Sequence, residues 1–419
     1  MRLGSRISPR FRQRRIGAAL AGLGLVLAGG AVIAVAPPAE PAAAAGTWTA
    51  RTAGGMTTQL YVPSTPPTLG TGRALMVNLH GCVQTSANLR DGGNWTATAD
   101  ARGMVVAVPA APNGGVLLGC WDYYDSNHSR TSPSRHDDNL LQLVSDLLAD
   151  PALDIDPDQV YLTGLSSGGG ETMVMGCLAP DVFAGIGINA GPSVGTTSGQ
   201  IGSVAVTQSQ VTNTCRTFAG SASSGFASQV TSVIYGSNDT TVAPGYNTLN
   251  AQVMAGIYGA SSQSSFSLSG LAGNNTAGSG TLWSDGSGPR VSLIQNTGMG
   301  HNWPAGGGPG GSYITTNSID YPAYVTDFFF DNNRRVDRST EPTDPPTEEP
   351  TDPPTEPGLY CGSATNAQHQ AAGRAHSYGT NPYNPYYADV SEDYMGQGDA
   401  TVTTLQESAG GRFDVVTTC

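Results

Sequence analysis

The chain has 419 residues, of which 12% are charged and 38% hydrophobic, with a formal net charge of −13. So acidic a balance excludes nucleic acid as a natural partner, and the length allows more than one domain. Six cysteines, Cys82, Cys120, Cys177, Cys215, Cys361 and Cys419, form an even set, which argues for disulfides in an exported chain and against thiol catalysis.

Residues 1–45 read as a signal peptide. Arg2, Arg6, Arg10, Arg12, Arg14 and Arg15 make a basic start, Ile16 to Ala36 is apolar, and Ala43-Ala44-Ala45 before Gly46 offers small residues for cleavage. The expected mature protein therefore begins near Gly46 and is secreted and extracellular, with no membrane contact after cleavage. Sequence order favours pairing Cys82 with Cys120, Cys177 with Cys215, and Cys361 with Cys419.

Residues 46–337 alternate strand-like and helix-like runs, the pattern of one α/β domain with a central, mostly parallel sheet. Strands are predicted at 74–79, 104–108, 159–163, 184–189, 232–235 and 291–295. Helices are predicted at 138–148, where Leu140, Leu141, Val144 and Leu147 recur at helical spacing, and at 247–258 and 319–330. The Ser-, Gly- and Thr-rich stretches 190–230 and 260–289 read as long surface loops. In residues 338–358 the octapeptide Glu341-Pro342-Thr343-Asp344-Pro345-Pro346-Thr347-Glu348 is repeated as Glu349 to Glu356. Proline and repelling acids make this an extended linker, able to separate its neighbours by roughly 50 Å. Residues 359–419, bounded by Cys361 and Cys419 and poor in aliphatics, read as a small disulfide-tied module. There Tyr378, Tyr383, Tyr386 and Tyr387 either form an aromatic surface for docking on an insoluble substrate or fill a small core.

The chemistry concentrates in three places. The strand ending at Thr163 runs into Gly164-Leu165-Ser166-Ser167-Gly168 and then a helix-like run, the form of a nucleophile elbow, in which Ser166 stands exposed at a helix N-terminus. A second GxSxG string, Gly191 to Gly195, is followed by no helix and lacks half of that motif. After the strand 232–235 comes Asp239, and after the strand 291–295 comes His301 within Gly298-Met299-Gly300-His301-Asn302-Trp303-Pro304. Nucleophile, acid and base in this chain order suit a Ser-Asp-His triad on a parallel sheet. The segment Leu79-His80-Gly81-Cys82-Val83-Gln84, after an early strand, supplies a second backbone donor at Cys82 to join the amide of Ser167 in an oxyanion hole. Trp303, Trp121 and Tyr123 either wall the substrate groove or pack as core aromatics, with the wall taken as the expectation. No metal-site spacing appears among the histidines, and no cofactor is expected.

Leu79-His80-Gly81-Cys82 with Gln84, Cys120-Trp121, Gly164 to Gly168, Pro180-Asp181-Val182-Phe183-Ala184, Asp239 with Val242, and Gly298 to Pro304 together resemble the secreted poly(3-hydroxybutyrate) depolymerase-like esterases. That family includes feruloyl and acetylxylan esterases. The resemblance spans most of residues 50–335 and implies an α/β-hydrolase fold. It also implies serine esterase activity, with Ser166 as nucleophile, Asp239 and His301 as its partners, and Cys82 and Ser167 as oxyanion donors. Cys120-Trp121-Asp122-Tyr123-Tyr124 and the stretch 190–230 depart from the commonest family patterns. An insoluble aliphatic polyester is the favoured substrate, acyl esters on plant polysaccharide the competing one, and a monomer is expected. From another class, a non-catalytic surface-binding protein on a hydrolase scaffold is disfavoured by the intact Ser, Asp and His set.

Overall fold

The computed structural model describes residues 46–124, 127–130, 136–338, 360–378, 384–408 and 412–418. The expected signal peptide, the expected linker from 339 to 358, Tyr383 and Cys419 lie outside the described residues. The described residues fall into two units divided near residue 340.

In the first unit one sheet contains β1 (Thr47–Ala53), β2 (Met56–Val62), β3 (Arg73–Leu79), β4 (Val105–Pro109), β5 (Ile155–Leu165), β6 (Gly185–Asn189), β7 (Val230–Gly236), β8 (Ser262–Phe266), β9 (Gly278–Asp285) and β10 (Gly288–Asn296). Their spatial order is β1-β2-β4-β3-β5-β6-β7-β10-β9-β8. The strands from β4 to β10 in that order are parallel, and antiparallel pairs extend both edges. Every residue of β4, β6 and β7 is buried, as a parallel sheet covered on both faces requires.

Seven helices supply the cover: α1 (Ser86–Gly92), α2 (Trp95–Arg102), α3 (His136–Leu148), α4 (Ser167–Leu178), α5 (Gln208–Ala219), α6 (Gly245–Tyr258) and α7 (Tyr321–Asn332). Side chains of α3 to α6 pack with Val77, Leu162, Ile186 and Val233 on one face. Leu89, Trp95, Val325 and Phe329, from α1, α2 and α7, pack with Met76, Val106 and Ile234 on the other. Truncating one such residue, for example Leu162→Ala, costs about 2–5 kcal/mol, because the cavity left behind does not close. This is an α/β-hydrolase fold.

The strands and helices expected from periodicity are present, with ends shifted by a few residues, but both stretches expected to be loops are corrected. Residues 190–230 contain α5, opened by a capping box between Thr207 and Gln210. Its few apolar residues, Val211, Cys215 and Phe218, all face inward, and the Cys177–Cys215 disulfide ties it to α4. Residues 260–289 contain β8 and β9. All of β8 but Phe266 is exposed, so no apolar alternation marks it in the sequence.

In the second unit, Cys361–Thr365, Val402–Ser408 and Arg412–Val415 form one small sheet, and Ala375–Ser377, Pro385–Ala388 and Tyr394–Gln397 another. Its core is Ala375, Tyr386, Ala388, Met395 and Leu405. The two readings of the tail tyrosines therefore divide between residues. Tyr386 fills the core, its hydroxyl donating to Asp399 at 2.9 Å, whereas Tyr378 is exposed and packs edge-on against His376. Cys361 is disulfide-bonded.

At the amino end of the parallel strands, Asp285 joins three elements. Arg334, beyond α7, grips its carboxylate through two bonds of 2.6 and 2.7 Å. Arg290 of β10, almost wholly buried, adds a third of 2.9 Å while donating to the carbonyls of Phe226 and Gln229. The Arg334 guanidinium, then the Ser287 amide and Arg290, hold this carboxyl well below the usual carboxylate range. Asp285→Asn strands the buried charge of Arg290 and should lower unfolding free energy at pH 7 by about 3 kcal/mol in urea titrations. A depressed folded pKa stabilises above the unfolded value of about 4 and stops doing so as pH falls through the folded value. The gap between wild type and variant should therefore close in strong acid.

Candidate active site

β5 ends at Leu165 and α4 begins at Ser167, so the chain reverses at one residue. Ser166 takes φ +58° and ψ −118°, a conformation that costs an L residue on the order of 1–3 kcal/mol. Its neighbours explain how the turn closes. A Cβ on Gly164 would lie 2.3 Å from the Gly168 carbonyl oxygen, and one on Gly168 would lie 2.5 Å from that of Leu79. A Cβ on Gly169 would lie 2.7 Å from the Asn189 oxygen. The missing side chains let the first turn of α4 press against the ends of β3 and β6. The Ser166 amide donates to Asn189 at 2.9 Å, and its carbonyl accepts from Gly170 at 2.8 Å.

Asp239 and His301 follow β7 and β10 at the same carboxyl edge of the sheet. His301 Nδ1 donates to Asp239 Oδ2 at 2.7 Å, with the carboxylate fully buried. The other carboxylate oxygen accepts from the amides of Thr241 and Val242 at 2.8 and 3.0 Å. Two further bonds join the loops: the Asn238 amide donates to the Met299 carbonyl at 2.9 Å, and the Gly298 amide to Ser237 Oγ at 2.9 Å. With Nδ1 committed to the acid, Nε2 is the ring nitrogen left for proton transfer.

Ser166, His301, Cys82, Ser167 and Tyr123 line one cavity of about 270 Å³. Among the described residues, no Asp, Glu, Arg or Lys contributes to its wall. A larger hollow of about 440 Å³ lined by Phe266, Leu282, Tyr324 and Asp327 contains, among the described residues, no serine, cysteine or histidine. Ser167 is the first residue of α4, so its amide is one of the donors a helix leaves unpaired at its N-terminus. Beside it, a disulfide joins Cys82 to Cys120. Gln84, buried, accepts from the Gly81 amide at 2.8 Å and donates to the Ser312 carbonyl at 2.6 Å. It thereby couples the loop after β3 to the segment carrying Tyr313. His80 is a structural neighbour: Nδ1 donates to Gly81 O at 2.9 Å, Nε2 accepts from the Ala111 amide at 3.2 Å, and burial lowers its pKa.

Two expected wall residues are corrected. Trp303 is fully buried, packs between Trp95 and Tyr321, and donates Nε1–H to the Gly93 carbonyl at 3.0 Å. Trp121 is fully buried between the rings of His80 and His136. Its amide points to Ser167 Oγ at 3.3 Å, but its ring lies outside the cavity wall. Tyr123 does reach the wall, and burial pushes its hydroxyl pKa up, keeping it neutral. The sequence reading left out Tyr124, Leu117, Leu118 and Tyr313, which also line the cavity. It also left out the buried pair His128–Asp137, joined at 2.8 Å beneath the Tyr124 backbone. No motif spacing marks these residues, because loop closure alone brings them there.

Residues 57–255 match a family model described as Esterase PHB depolymerase. A poly(3-hydroxybutyrate) depolymerase of Ralstonia pickettii is 41% identical over 309 residues, covering 70% of this chain and 62% of the relative. A poly(3-hydroxyalkanoate) depolymerase C of Paucimonas lemoignei is 28% identical over 284 residues, covering 64% of this chain and 65% of the relative. The chain thus spans somewhat less than two thirds of the length of these relatives. Among solved structures, an acetyl xylan esterase from Aspergillus awamori aligns with a TM-score of 0.52 at 19% identity, covering 68% of this chain and 99% of that one. At that identity the likeness concerns the fold.

Gln84→Ala leaves the buried Gly81 amide without its acceptor, a cost of about 1–3 kcal/mol, releases the Ser312 carbonyl, and frees the loop that presents the Cys82 amide. In steady-state assays on a soluble p-nitrophenyl ester, kcat should fall about 10- to 100-fold with a much smaller change in KM.

Proposed function

Because residues 57–255 match the Esterase PHB depolymerase family model, we propose that this chain is a secreted serine esterase that cleaves an insoluble aliphatic polyester of the poly(3-hydroxybutyrate) type. The observation that carries this reading is one cavity holding both a serine on a strained elbow and a histidine whose far nitrogen is fixed by a buried carboxylate.

In the proposed reaction His301 Nε2 takes the Ser166 hydroxyl proton as Oγ attacks the ester carbonyl. Asp239 holds the ring in the Nδ1–H tautomer and offsets the imidazolium charge that develops. The oxyanion forms against the amides of Cys82 and Ser167, where a fixed donor is worth roughly two to three orders of magnitude in rate. His301 returns the proton to the departing alcohol. Water, activated by the same imidazole, then cleaves the acyl-enzyme and releases the acid.

Residues 1–45 act as the export signal, and the disulfides suit the oxidising space outside the cell. Residues 46–337 are the catalytic domain, 338–358 a spacer, and 359–419 a module that keeps the enzyme on its solid substrate by raising local concentration. No metal or organic cofactor enters the reaction, and the enzyme acts as a monomer. The polyester reading is supported by the 41% identity to a poly(3-hydroxybutyrate) depolymerase and by a cavity wall to which, among the described residues, no Asp, Glu, Arg or Lys contributes.

Ser166→Ala should reduce turnover of p-nitrophenyl butyrate by at least about four orders of magnitude, with unchanged circular dichroism. The wild type should clear a poly(3-hydroxybutyrate) emulsion faster than it releases acetate from acetylated xylan. Acetate release without clearing would transfer the assignment to polysaccharide esters.

A further inference from the structure

Among the described residues of the first unit, five large hydrophobic side chains are strongly exposed: Val83 (55%), Leu117 (67%), Leu118 (67%), Val204 (45%) and Tyr313 (46%). All but Val204 line the cavity that holds Ser166 and His301. Scattered exposed hydrophobics are ordinary on a protein surface, whereas their concentration at one mouth marks an interaction site.

The backbone there works against the residue types it carries. Val83, Leu118 and Tyr313 have φ of +57°, +57° and +53°. This left-handed region favours Gly and Asn and disfavours bulky side chains, a β-branched valine most of all. Several ties impose the conformation. The Cys82–Cys120 disulfide and the bond from the Val83 amide to the Leu118 carbonyl, 2.9 Å, clamp the two loops together. The 116–120 turn closes on itself through Val116 N to Cys120 O, also 2.9 Å, and Gln84 fixes the carbonyl of Ser312, next to Tyr313. Gly or Asn would relieve the strain and expose less apolar surface. Aliphatic side chains are instead held outward, in water, around the mouth of the site.

We propose that Leu117 and Leu118, with Val83 and Tyr313 beside them, form a rim that seats the methyl-bearing chain of an aliphatic polyester on either side of the bond being cleaved. They would thereby set preference for polymer over short soluble esters. The inference rests on the polyester reading above. The occupant follows from continuity: whatever covers the rim must also enter the cavity that reaches Ser166. Its chemistry follows from the side chains, since branched aliphatic groups match a methylated, uncharged chain. A sugar backbone would call for hydrogen-bonding groups in the same places.

The test is the full-length double variant Leu117→Ser with Leu118→Asn, beside Tyr313→Asn. Asparagine suits positive φ, so the replacements at 118 and 313 ease the backbone. Clearing of a poly(3-hydroxybutyrate) emulsion should fall at least about tenfold more than kcat/KM on p-nitrophenyl butyrate, in the double variant above all. Equal losses on polymer and soluble ester, or clearing at the wild-type rate, would overturn the rim. A wild-type protein that does not clear the polymer would overturn the polyester reading and the rim with it. Failure of the rim alone would show as a wild type that clears the polymer beside variants that clear alike or lose equally on polymer and soluble ester.

Discussion

The site depends on a close approach of backbone to backbone. The first turn of α4 can lie against the carboxyl end of β3 only because residue 168 has no Cβ; one there would sit 2.5 Å from the Leu79 oxygen. That approach sets the Ser167 amide beside the loop carrying Cys82, and it holds Ser166 at a φ that an isolated serine would leave. The strain is sustained by what surrounds it. Ser166 is pinned through Asn189 and Gly170, and the strands below are buried on both faces, so relaxing the turn would mean moving the packed core.

The same edge of the sheet explains why residues distant in sequence share a cavity. Parallel strands all deliver their following loops to one edge, and open α/β sheets bind ligands there. Proximity alone does not orient a ring, however. The bonds between Ser237, Asn238, Gly298 and Met299 make the loops after β7 and β10 one unit, and the amides of Thr241 and Val242 fix the carboxylate that fixes His301. The imidazole is thus placed by a chain of local hydrogen bonds that ends on the sheet. This arrangement holds a group in readiness without reorganisation when charge develops.

What could be read from the sequence follows the physical strength of each signal. Buried parallel strands are long apolar runs, so β3, β4, β5 and β7 were legible, and the glycine spacing around Ser166 announced the elbow. The order of Ser166, Asp239 and His301 along the chain pointed to the loops where the structure puts them. In contrast, α5 was hidden because its polar face is Thr- and Gln-rich and only Val211, Cys215, Phe218 and Ala219 carry its packing. β8 was hidden because an exposed edge strand has no apolar face to alternate with a polar one. Trp303 and Trp121 were misread for a different reason. An aromatic residue near a motif can point into the cleft or into the core, and only the three-dimensional path of the loop decides; here both turn inward.

Leu117 and Leu118 show the opposite placement: nothing in the sequence marks two adjacent leucines as exposed, yet both stand at the surface. Their exposure results from the 116–120 turn, whose closing bonds and link to Cys82 leave no inward path for both side chains. The Cys82–Cys120 bridge therefore serves two ends of one surface. On one side it steadies the amide of Cys82 next to the elbow, and on the other it holds the loop whose apolar side chains stand at the cavity mouth. A cross-link between these loops restricts how far the reacting groups and the rim can move relative to each other. On the polyester reading proposed above, gripping a solid chain and presenting a single ester bond to one hydroxyl both favour keeping rim and elbow on one rigid piece.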